Sequence, residues 1–161
     1  MAKRNRPTIQ TPEVGAKRHQ TYRHIIEQYH LAMSQGFYIE AISLMESLIS
    51  DRLESLANEL SGSENYSYAT LEKLLIFLCG RNQALQLPDN LKDVLNEICI
   101  WKNERNRAIH EMAKEINHSF ADNYDALEDT ADEGYTLFRK LDNAIRAYRQ
   151  EKSITNKIKQ Q

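Results

Sequence analysis

Arg105, Asn106 and His110 fall within six consecutive positions of the run Trp-Lys-Asn-Glu-Arg-Asn-Arg-Ala-Ile-His-Glu-Met, residues 101–112. A guanidinium is a permanent cation whose planar fork of donors fits a carboxylate or a phosphate. A carboxamide both donates and accepts. A histidine side chain changes charge near neutral pH, so it can take or give a proton. Lys102 and Arg107 flank the set with further positive charge, and Glu46, far away in the sequence, is the acidic residue best placed to answer it. Groups of these types can hold an anion and move a proton on it.

The run belongs to a segment, Asp89 to Ile116, without Pro or Gly. Leu91, Leu95 and Ile98, then Ile109, Met112 and Ile116, recur in steps of three and four, which is one face of a helix. A second row, Val94, Ile98, Trp101, Ala108 and Met112, brackets Arg105. The cation therefore sits in a stripe that should be packed, where an unpaired charge is costly. Arg105 needs a partner, a wet cleft or an anionic ligand. Glu46 lies between Ile42 and Ile49 and beside Met45 on a mostly apolar surface. It can pair with Arg105; the plainer reading is a rim carboxylate that reaches water. Asn106 and His110 are four apart on a neighbouring face with Cys99, Asn103 and Asn117. At the helical turn per residue, Arg105 and His110 point about 140° apart. One isolated helix does not bring both onto one small group, whereas a long side chain or a second copy of the helix does.

The elements that must position these residues are helices. Five Gly and three Pro in 161 residues leave long uninterrupted segments rich in Leu, Ile, Glu, Lys and Ala. The pattern predicts an all-α protein with a four- to five-helix bundle over residues 20–152, a flexible basic arm over 1–19 and a polar tail over 153–161. A first helix is expected from Thr21 to Ser34, ended by Gln35-Gly36. A second runs from Phe37 to Leu60, with Ile42, Met45, Ile49, Leu53, Leu56 and Leu60 in a row, and stops at Ser61-Gly62-Ser63. Thr70 caps a short third helix through Cys79. Asp89 caps the fourth, which carries the motif and ends near Asn117-His118-Ser119. The last helix runs from Asp122 to Lys152, acidic at its start and basic at its end, as the helix dipole favours.

Composition narrows the possibilities. No apolar run reaches the length of a membrane span, and the basic start lacks the apolar stretch of a secretory signal, so the expected location is cytoplasmic, with no membrane partner. Cys79 and Cys99 have no metal-ligand spacing and read as reduced, mostly buried thiols. His19, His24 and His30 do not share a helical face, and no phosphate-cradling glycine loop or nucleophile elbow is present, so neither metal nor cofactor is expected. The net charge of −2 is unevenly spread: residues 1–20 carry +4, residues 139–161 carry +5 and the body between them −11. Basic ends on an acidic body can grip a polyanion by its phosphates; a solvated tail and an ordinary helix terminus explain each end taken alone.

The run Arg105-Asn106-Arg107-Ala108-Ile109-His110 resembles the Arg-x(4–6)-His motif of HEPN domains, in its commoner Arg-Asn-x-x-x-His form. Its context is also similar to theirs: a late helix, four or five helices in all, and an earlier helix of the type Glu40 to Leu53. The resemblance covers about residues 21 to 150. It implies a bundle that forms a homodimer with the two motifs facing one cleft. It further implies metal-independent RNase activity of a toxin or phage-defence kind, with an RNA substrate and an antitoxin or defence-system partner protein. On that resemblance Arg105, His110 and Asn106 are the catalytic candidates. His110 takes a proton from the ribose 2′-OH or gives one to the leaving 5′-oxygen, Arg105 holds the scissile phosphate, and Asn106 orients His110 or binds phosphate. Lys102 and Arg107 extend a positive, substrate-binding rim, and Glu46 supports Arg105. In the HEPN subset paired with a nucleotidyltransferase antitoxin, a Tyr follows the His by two positions; here that position is Met112. Many members of the family bind without cutting, so a non-catalytic module for nucleotide, RNA or protein is the alternative expectation, and a purely structural bundle the third.

Overall fold

The computed structural model describes residues 11–80, 87–111 and 120–158. Among them the chain forms five helices and no strand: α1 (Pro12–Ser34), α2 (Tyr38–Ser61), α3 (Leu71–Cys79), α4 (Asp89–Glu111) and α5 (Phe120–Ile158). None is long and apolar enough to cross a membrane. The expected all-α bundle is therefore what the chain builds.

α2 is the central element because two of its faces are apolar. Ala41, Ile42, Met45, Leu48, Ile49, Leu53, Leu56 and Ala57 are all buried. They pack against α1, α3 and α5, while α4 closes the ring by lying on α3 and, more extensively, on α5. Trp101 of α4 is fully buried, and its indole N–H donates to the Thr130 carbonyl of α5 at 2.8 Å. Gly134 makes this contact possible. A Cβ there would lie 2.8 Å from Trp101 Cζ2 and 3.3 Å from Met45 Cβ, so only a hydrogen fits between α5, the indole and α2.

The connections explain the boundaries. α1 ends in a Schellman turn: Phe37 N–H donates to the Ala32 carbonyl at 2.8 Å and Gly36 N–H to the Met33 carbonyl at 3.2 Å, with Gly36 at φ 74°. α2 stops at Gly62, also left-handed, at φ 63°. Thr70 caps α3 by accepting from Lys73 N–H at 3.3 Å, as its position predicts.

Four expectations need correction. The first helix begins at Pro12, nine residues before Thr21, so the stretch 12–19 is helix and not flexible arm. Thr11 is its cap, accepting from Val14 N–H at 3.3 Å, and Pro12 supplies a φ already suited to a first turn. These turns are mostly exposed and carry no apolar rhythm. At the other end, α5 continues through Ile158, so 153–158 is an exposed helical extension of the expected tail. For α4, Lys92 N–H donates to the Pro88 carbonyl at 3.1 Å, which places Pro88 at the cap and Asp89 as the first helical residue. Finally, Cys79 is exposed and Cys99 only half-buried; their sulfurs lie 3.3 Å apart between α3 and α4. Although the residue as a whole is exposed, its sulfur is turned from water against α4, and this desolvation with the hydrogen bond to Cys99 pushes the Cys79 thiol up to about 12. The expected roles of Met112, Ile116 and Asn117, the end of the fourth helix at 117–119, the first ten residues of the arm and the link at 81–86 lie outside the described residues.

Candidate functional site

Arg105 is four residues past Trp101, on the same side of α4, so the indole that anchors α4 also fixes the guanidinium. Its Nη1 donates to Glu46 Oε2 on α2. The pair is mostly withdrawn from solvent, with 15% of the arginine side chain and 30% of the glutamate exposed. Arg105 Nε is buried and has no hydrogen-bond partner. Of the three options open to a cation in this stripe, the bundle thus provides a partner, and it is Glu46.

His110 and Asn106 are exposed on α4. The helical offset of about 140° holds within the chain: the guanidinium turns inward to α2 and the imidazole turns outward. The other two cations diverge as well. Lys102 Nζ reaches α3, where Glu72 Oε1 accepts at 3.3 Å. Arg107 lines a hollow of about 270 Å³ against α5, together with Ala108, Asn123 and Thr130. Three carboxylates, Glu104, Asp129 and Glu133, share that hollow. The three positive residues therefore address three different helices. A single chain does not gather Arg105, Asn106, His110, Lys102 and Arg107 around one small ligand.

The carboxylates beside Arg107 were not singled out in the sequence. Partial burial and the adjacent Glu104, both by its charge and by a shared hydrogen bond, raise the Glu133 carboxyl above its ordinary value of 4.5. Glu104 of α4 and Glu133 of α5 thus face each other across the hollow. Nothing in the spacing says that Glu104 meets a residue nearly thirty positions later.

Comparison with known protein families, curated proteins and solved structures gives no match to this chain.

Proposed function

We propose that the chain is a HEPN-like module that cleaves RNA as a metal-independent endoribonuclease, in a toxin or phage-defence role, once two copies appose the ends of their α4 helices. The observation that supports this reading is the placement of the Arg-Asn-x-x-x-His set: one helix, with Arg105 braced by Glu46 and with Asn106 and His110 presented to solvent. Two copies can supply what one does not. One imidazole removes the 2′-OH proton as the oxygen attacks phosphorus, and the other protonates the departing 5′-oxygen, leaving a 2′,3′-cyclic phosphate. Arg105 contributes its remaining donors to the phosphate as charge builds on it. DNA lacks the attacking hydroxyl and is not a substrate.

A second reading is favoured by the same ion pair. Arg105 has its charge answered inside its own bundle and points away from His110, which is the arrangement of a structural arginine. On that reading the module binds nucleotide, RNA or a protein partner without cutting.

The discriminating experiment incubates the purified protein with total RNA or tRNA in EDTA beside His110→Ala. The endonuclease predicts discrete fragments with cyclic phosphate ends, formed about 10²–10⁴ times more slowly by the variant. Identical RNA profiles for the two proteins eliminate catalysis and leave the binding module.

A further inference from the structure

α1 and α5 both lie against α2, and aromatic rings span the gap between them. Tyr29 stacks on Tyr135 at 4.9 Å, and Tyr22 meets Phe138 edge-on at 6.0 Å. Above Tyr22 and Phe138 the two helices leave a groove of about 600 Å³. Arg18 and Arg23 line it from α1, Arg139, Arg146 and Arg149 from α5, and Arg52 from α2. Among the described residues, six of the eight arginines thus face one concavity, and none of the seven lysines does. A merely solvated basic face has no reason to make that selection, whereas a phosphate-binding face does, because a guanidinium engages phosphate through two donors.

The groove's own acids do not neutralise it. Glu27 and Asp142 are the carboxylates in its lining. Arg23 pairs with Glu27 at 3.1 Å, Arg52 and Arg146 share Asp142, and Arg149 reaches outside the groove to Glu59 at 2.9 Å. Asp51 lies beneath, bound to the Tyr22 hydroxyl. Among the described residues Arg18 and Arg139 have no ion-pair partner, and Arg52 Nε is buried without a hydrogen bond. Among the described residues the lining carries six positive and two negative charges, in a protein whose net charge is −2. Arg18, near one basic end of the sequence, and Arg139, Arg146 and Arg149, near the other, meet here across the fold.

We propose that the α1–α5 groove is a docking site for the phosphate backbone of a single-stranded nucleic acid. A concave channel walled by arginines, with aromatic rings at its base, follows a linear polyanion; a lipid surface is flat and would meet only its rims. The site is separate from the Arg105–His110 helix. Lys140 of α5 pairs with Glu97 of α4 at 2.6 Å, which fixes the level of the groove's α5 wall along α4. His110 is thirteen residues farther on, or about 20 Å at the helical rise. Docking does not depend on cleavage, so either can fail without the other.

The test uses the full chain carrying His110→Ala, so that RNA stays intact, and follows fluorescence anisotropy of labelled 20-nucleotide RNA and DNA single strands. Arg18 and Arg139 have no ion-pair partner among the described residues, so Arg18→Gln with Arg139→Gln removes two cations without unpairing a described carboxylate; circular dichroism checks the fold. Each single-strand phosphate contact contributes a salt slope of about 0.7, or roughly 2.6-fold between 50 and 200 mM salt. The double variant is expected to bind more weakly and to lose about sevenfold less affinity over that salt range. Binding of RNA and DNA alike, or of RNA alone, upholds the site if the double variant shows this change. An unchanged affinity and slope overturns it, as does capture of phosphatidylserine vesicles or a poly-glutamate peptide in place of either strand.

Discussion

The Arg105–Glu46 pair is the place where structure and function can be separated by measurement. Glu46→Gln keeps the side chain's size but removes the charge that answers Arg105, and Arg105→Met removes the cation while keeping an unbranched apolar stem. Exposed pairs are worth about 0–1 kcal/mol, and breaking a fully buried pair costs about 3–5 kcal/mol. With 15% and 30% of the two side chains exposed, the pair lies between these limits. Glu46→Gln should therefore cost about 2 kcal/mol, which for a domain of this size lowers Tm by roughly 4–8 °C. Arg105→Met should cost less, because it also removes the buried Nε that has no partner. A double-mutant cycle by urea denaturation should give a coupling of about 1–2 kcal/mol. The same Glu46→Gln protein frees the guanidinium, so if Arg105 also meets phosphate, RNA affinity rises as stability falls. Single costs below about 0.5 kcal/mol with no coupling would refute the reasoning, since a cation in a packed stripe cannot then be depending on that carboxylate.

Two further outcomes are expected. Gly134→Ala places a methyl 2.8 Å from the buried Trp101 ring, and overpacking of about 1–3 kcal/mol should outweigh the helix-propensity gain of about 1 kcal/mol, so thermal unfolding should occur at lower temperature; a stabilised variant would mean that α4 and α5 separate freely. Glu133 has a raised pKa in the folded chain, so its protonated form is favoured there, and its contribution is full below the unfolded value and lost as pH rises through the folded one. Glu133→Gln should be more stable than the parent at pH 7 by under about 1 kcal/mol, the residue being exposed and screened, and the difference should vanish near pH 4; an equal gap at both pH values would contradict the Glu104–Glu133 repulsion.

Much of the bundle is written in local signals. Gln35-Gly36 and Gly62 stop helices because left-handed backbone favours glycine, and Thr70 starts one because a hydroxyl can reach the third N–H. The cap at Thr11-Pro12 uses the same chemistry, yet the turns that follow bury little, so a reading guided by apolar periodicity passes over them. The need of Arg105 for a partner was legible because it interrupts an apolar row, but Glu46 read more plainly as a rim carboxylate, and only the packing of α4 on the bundle selects it. The directions of Lys102 and Arg107 were not legible, since a helical wheel gives angles without saying which neighbour covers each side. The groove was hidden for a stronger reason. Arg18 and Arg139 lie more than a hundred residues apart, and only the placement of α1 and α5 on α2 turns two basic ends into one surface.

The chain has one tryptophan, and it is wedged between α5 and α2 over the bare backbone of Gly134. Its emission should be blue-shifted while α4 is seated and move to the red when α4 lifts away. Because Arg105 is one turn along from that indole, any anion or second subunit that tugs on the guanidinium should register in the spectrum. The molecule thereby carries its own optical gauge of how firmly the motif helix is held.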